Sequence, residues 1–203
     1  LAVLRADTPR RRVLAGMLVG LVAGARLSTL PLVLPAVVWV LVRAPSTQRW
    51  VVARSLVTWP VVVAAVCYAP VVWSVGAGPF VALVTGHAEG HFTRFGGTAF
   101  TASNPFARLG AFVFGLHAHV LGGWWPDRSP TLLASTLAVA ALVLVGARAW
   151  WREGHDRMLL GCCAVYALWA LAGQNVLWQP RHLLPLASAF ALFAGFGAAR
   201  LPR

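Results

Sequence analysis

The chain has 203 residues, of which 59% are hydrophobic and 11% charged, with a mean hydropathy of +0.74. That balance excludes an ordinary water-soluble domain, which needs far more polar surface. The net charge of +12 is carried by arginine alone, and the arginines stand between apolar runs, where they act as topology signals and meet anionic membrane lipids; this placement argues against nucleic acid as a partner.

The opening, LAVLRADTPRRR, starts at Leu1 and lacks the layout of a signal peptide, because its basic cluster follows a very short apolar stretch. It reads as the interior of a longer protein, so a C-terminal fragment is expected. The first apolar run, Val13–Ala25, is broken by Arg26, and a second, Leu27–Val42, carries Pro31 and Pro35. One helix over both would be about 45 Å long, against a hydrocarbon core of about 30 Å. It would also place Arg26 mid-membrane, which is costly. Two short helices joined near Arg26 are therefore expected.

Arg43, Arg49 and Arg54 lead into a clean run, Ser55–Val75. A Gly-rich mixed segment, Gly76–Pro130, separates it from the runs Thr131–Ala147, Met158–Trp178 and Leu183–Ala199. The expectation is an all-α, polytopic transmembrane helical bundle of about six spans in a single domain. With a turn at Arg26, twelve arginines fall on one side of the membrane and five on the other; fusing the first two runs removes most of that bias. The richer side is the cytoplasmic one, so both ends lie in the cytoplasm and 76–130 forms a loop outside it. Trp50, Trp73, Trp124, Trp125, Trp150, Trp151 and Trp178 fall near run ends, as an aromatic belt does.

Within the loop, Leu109–Gly122 is too short to span comfortably and is expected as a helix in the outer interface or a re-entrant piece. Its His117 and His119 are two apart, point in different directions on a helix, and read as interface residues. Cys67, Cys162 and Cys163 lie inside apolar runs without a CxxC spacing, which fits small apolar packing. His155, beside Glu153 and Asp156, reads as part of a solvated loop.

Polar residues gather in two places. The first is GHAEGHFTRFGG, with His87, Glu89, His91 and Arg94. On a helix His87 and His91 share a face; on a strand His87, Glu89 and His91 do. Either arrangement could supply ligands for a divalent metal ion; a solvated loop of mutually hydrogen-bonded groups is the alternative. Arg94 stands between Phe92 and Phe95, and its planar fork suits phosphate oxygens, although a snorkelling interface arginine reads the same way. Gly96 and Gly97 permit a tight turn or close backbone approach. The second place is NVLWQPRHLLPL, with Arg181 and His182 at the outer end of the last hairpin and Pro180 and Pro185 shaping the turn. Gln174 and Asn175, at the end of a span, face protein or a cavity; a capping, headgroup-anchoring turn is the plainer reading. Glu89 and Asp127 are the acidic residues on this outer side.

The stretch His91-Phe92-Thr93-Arg94-Phe95 resembles the E-H-x-x-R-F pattern in an outer loop of the lipid A aminoarabinose transferases. These belong with the protein O-mannosyltransferase-like membrane glycosyltransferases of GT-C type. The ending PRHLLPLASAFALFAGFGAARL resembles their late R-Y-L-L-P-type helix, and RRRVLAGMLVGLVAGARLSTLPLVLP resembles their paired short helices. The resemblance implies transfer of a sugar from a polyprenyl-phosphate donor at the outer face of a bacterial cytoplasmic membrane, to a lipid, glycan or protein acceptor. It implies His91 as a metal or donor-site residue, with Arg94 and Arg181 approaching the lipid phosphate. Gly90 stands where the pattern has an acid, with Glu89 displaced by one, and His182 replaces an aromatic residue. The family's acidic catalytic residue has no counterpart here and would precede Leu1, so the fragment alone is expected to be inactive. The alternative is a transporter or flippase subunit, which calls for repeats around a midplane site; the polar residues gather at the outer surface instead. A purely structural membrane subunit is a third reading.

Overall fold

The computed structural model describes residues 7–94, 98, 99, 101, 104–123, 129–154, 156–176 and 179–201, with His91 and Pro180 described by their backbone alone. It contains eight α-helices and no strand among the described residues. They fall into two compact units, Leu1–His87 and Ala88–Arg203.

In the first unit, α1 (Pro9–Ala25) begins where Thr8 caps it, its hydroxyl oxygen accepting from the Arg11 N–H at 3.4 Å, with Pro9 in the first turn. It stops at Arg26, whose backbone is extended. A 3-10 turn, Leu27–Thr29, leads into α2 (Leu30–Arg43). The expected break at Arg26 is thus present. The Thr29 hydroxyl donates to the Arg26 carbonyl at 2.6 Å and helps hold the corner. The third helix, α3 (Ser46–Val75), has 30 residues and ends at Gly76, whose φ of +87° suits glycine.

Gly16, Gly20 and Gly24 recur every fourth residue and so form one stripe on α1. A Cβ at Gly16 would lie 2.8 Å from Trp59 Cβ, one at Gly20 2.7 Å from Val63 Cβ, and one at Gly24 2.7 Å from Cys67 Sγ. The contacts advance together along both helices, so α1 and α3 run parallel, nearly backbone to backbone. Small residues permit this approach, as they do between membrane helices generally. The Tyr68 hydroxyl adds a hydrogen bond to the Ala23 carbonyl at 3.1 Å. Parallel neighbours require the chain to return between them, and α2 makes that return.

In the second unit, α6 (Pro130–Arg152) and α8 (Leu184–Ala198) pack against each other in parallel, and α7 (Met158–Gly173) precedes a 3-10 turn, Pro180–Leu183. A Cβ on Gly146 would run into the Phe193 carbonyl, and one on Gly197 into the Leu142 carbonyl. Trp150 is buried against Phe193 and Phe196, ring centroids 5.9 and 5.2 Å away, and its indole N–H donates to the Asp156 carbonyl at 3.0 Å. It is a packing residue, unlike Trp50 and Trp73 at the two ends of α3, which are exposed. Trp124, Trp125 and Trp178 lie outside the described residues, as do Asp127 and His155. Arg200 and Glu153 form an ion pair, Nε to Oε1 2.7 Å, that ties the end of α8 to the end of α6.

The apolar surface faces outward. Val57, Val61 and Val66 on α3 and Leu133, Leu137 and Leu144 on α6 are all exposed, and water would penalise so much apolar area heavily. Three helical stretches are long and apolar enough to cross a membrane: Ser46–Val75, Pro130–Arg152 and Arg181–Ala198. Leu27–Arg43 and Met158–Gly173 are apolar but shorter. The segment expected as a loop is substantially helical, with α4 (Ala77–Thr93), α5 (Pro105–Gly115) and a π-helical turn, Leu116–Val120.

Candidate functional site

The predicted outer-loop residues sit on and just beyond α4. His87 and His91 are one turn apart and share a helix face, whereas Glu89 stands on another. The Arg94 guanidinium pairs with the Glu89 carboxylate at 3.0 Å, and both side chains are largely exposed. Phe95, Gly96 and Gly97 lie outside the described residues. Among the described residues, no group of three His, Cys, Asp or Glu is placed to hold a metal ion.

A second polar assembly lies wholly within the unit Ala88–Arg203. Asn104 caps α5, its side-chain oxygen accepting from the Phe106 and Ala107 N–H groups at 2.9 and 3.1 Å. One turn on, Arg108 is only 4% exposed. Its Nη2 donates to the Gln174 carbonyl at 3.1 Å and to the Ala170 carbonyl at 3.4 Å. These are carbonyls that the end of α7 cannot satisfy by itself, and a cation is favoured there by the helix dipole. Burial pulls the guanidinium below its ordinary pKa, yet arginine stays charged at neutral pH.

From that anchor the chain continues through Gln174 and Asn175, both buried, to the turn Pro180–Leu183. Backbone hydrogen bonds from Gln179 to Asn175, at 3.0 Å, and from His182 to Gln179, at 3.1 Å, fold it back. A second anchor closes it: the Tyr166 hydroxyl, fully buried on α7, donates to the His182 carbonyl at 2.7 Å. Between the two anchors Arg181 projects as an exposed side chain, while its neighbour His182 is buried. The Gln174 Oε1 atom is buried without a hydrogen-bond partner.

The π-helical turn packs against α5, α8 and Pro180–Leu183. Its i to i+5 closure runs from the Leu121 N–H to the Leu116 carbonyl at 2.9 Å, and the His117 ring covers Gly123, where a Cβ would have no room. Single π turns are rare and recur at functional sites. Thus Arg181 and His182 share an environment with Arg108 and His117, and Arg94 pairs within its own segment. Sequence reasoning placed Arg181, His182, Gln174 and Asn175 together but missed Arg108. The available signal was an arginine four residues after a cap, Asn104-Pro105, at the start of an otherwise apolar helix.

No protein-family model, no curated protein and no solved structure matches the chain.

Proposed function

We propose that the chain is the C-terminal part of a membrane glycosyltransferase of GT-C type, in the bacterial cytoplasmic membrane, that takes its sugar from a polyprenyl-phosphate carrier. The observation that carries this reading is Arg181, an exposed arginine on a segment held at both ends by buried hydrogen bonds from Arg108 and Tyr166. An exposed arginine on such a segment, at the start of an apolar helix, suits the phosphate of a lipid whose tail lies along that helix. Catalysis in such a site rests on positioning and on stabilising charge at the leaving phosphate. Arg94 is the second phosphate-binding candidate, with His91, Glu89 and His87 as donor-site or metal-binding candidates and His182 beside Arg181. A general base would come from residues preceding Leu1.

In this reading the shorter apolar helices also cross the membrane, giving six spans with both ends cytoplasmic. The direct test is binding of polyprenyl phosphate to the full-length protein in detergent. Arg181→Ala should weaken it at least tenfold and Arg94→Ala severalfold. Unchanged affinity and turnover in both variants would remove the assigned roles. Proton- or ion-coupled movement of an intact lipid without sugar transfer would instead favour a flippase subunit.

A further inference from the structure

The parallel pairing of α1 and α3 brings their two starting ends together, and with them most of the positive charge of the first unit. The Arg12 guanidinium donates to Gln48 Oε1 at 3.1 Å, bridging the first turn of α1 to the first turn of α3. Arg49 donates to the Val42 carbonyl at 3.4 Å, drawing the end of α2 into the same place. Arg10, Arg11, Arg12, Arg43, Arg49 and Arg54 therefore stand at one end of the unit, and Asp7, paired with Arg11 at 2.9 Å, is the acid among them. All but the half-buried Arg12 are exposed.

The length of α3 fixes where this charge lies. Thirty residues make a helix of about 45 Å, and a hydrocarbon core takes up about 30 Å. The apolar part is 55–75, which fills the core by itself. Ser46–Arg54 must then extend through the headgroup layer. Trp50, 76% exposed, stands one turn from Arg54 on the same face, and Arg43 lies over the Trp39 ring at 4.3 Å. Amphipathic rings and guanidinium groups at this depth are what a phospholipid headgroup layer accommodates. The exposed valines of α3 continue directly below it.

We infer that this end of the α1–α3 pair is a docking surface for anionic phospholipid headgroups in the leaflet it meets. The occupant is identified by charge complementarity, by the exposed indole at headgroup depth, and by continuity with the apolar face of α3. Neither RNA nor an acidic protein would explain an indole and an apolar surface joined to the charge in this order. The inference is independent of the transferase reading, because it concerns a different unit and a different ligand.

The test is native mass spectrometry of the detergent-solubilised chain, titrated with phosphatidylglycerol and with phosphatidylcholine of the same acyl chains. Each headgroup-level arginine contributes roughly fivefold to binding of an anionic lipid. Phosphatidylglycerol should bind at least tenfold more tightly than phosphatidylcholine. The preference should vanish in Arg10→Gln/Arg43→Gln/Arg49→Gln and survive in the corresponding Lys variant, with helicity by circular dichroism confirming that both fold. The same number of changes in the other unit, Arg148→Gln/Arg152→Gln/Arg157→Gln, should leave it in place. Equal binding of the two lipids by the unaltered chain overturns the inference without recourse to any variant. So does retention of the preference in the first Gln variant, or equal loss in the second, which would reduce the effect to net charge. Tighter binding of a short RNA than of phosphatidylglycerol would overturn it in favour of nucleic acid.

Discussion

The two polar regions of the chain are built oppositely. At the end of α4, Arg94 and Glu89 meet in the open, with water on most sides of both. Around the end of α7, Arg108 and Tyr166 donate from buried positions to backbone carbonyls. An exposed ion pair gains little, because water screens it and two long side chains must be ordered to make it. A buried donor on a carbonyl has no competing solvent, and its loss leaves an acceptor stranded. The first region can therefore rearrange freely around a ligand, while the second has its geometry set beforehand and presents Arg181 from it.

Substitutions should separate the two by size of effect. Arg108→Ala removes two hydrogen bonds to main-chain carbonyls and the packing of a long buried side chain, so a loss of about 2–4 kcal/mol is expected. Unfolding in mixed micelles measures it, and an unchanged midpoint would break the contrast. Tyr166→Phe deletes one hydroxyl without changing shape and should cost about 1 kcal/mol; in donor-binding assays it should weaken affinity less than Arg181→Ala does. Gln174→Met replaces an orphaned buried acceptor by an apolar group of similar size. Its expected effect is small and of opposite sign, a gain of up to about 1 kcal/mol; a clear loss would mean that the amide has a partner in the intact protein. Glu89→Gln should leave the unfolding midpoint unchanged, and the same null result at high and low salt would confirm that the α4 pair is not structural.

How much of this was readable beforehand follows from where each signal lives. Arg26 between two apolar runs announced the corner between α1 and α2, and helix ends at Pro9, Pro130 and Gly76 carried their own markers. Apolar runs foretold the helices, yet run length alone did not show that Ala77–Thr93 forms one, because its Gly, His and Thr content resembles a loop. The Gly16, Gly20, Gly24 stripe was written at a spacing of four, but its meaning depends on Trp59, Val63 and Cys67 lying opposite. Trp150 and Trp73 look alike in a sequence; one is buried between aromatic rings and the other is open. The anchor at Arg108 was the least legible. Its acceptors are main-chain oxygens 62 and 66 residues away, and a carbonyl is the same in every residue type. The polar pair Arg181–His182 could be located from sequence, but what holds it could not.

The glycine contact between α6 and α8 has a consequence for inheritance. At most packed positions a larger residue on one side can be offset by a smaller one on the other, and such pairs drift together over time. Gly146 and Gly197 have no such freedom, since what opposes each is the carbonyl of Phe193 or Leu142, an atom that no codon change can shrink. A suppressor screen begun from Gly146→Ala should therefore return true revertants, or changes that move a whole helix, and no compensating side chain at the point of contact.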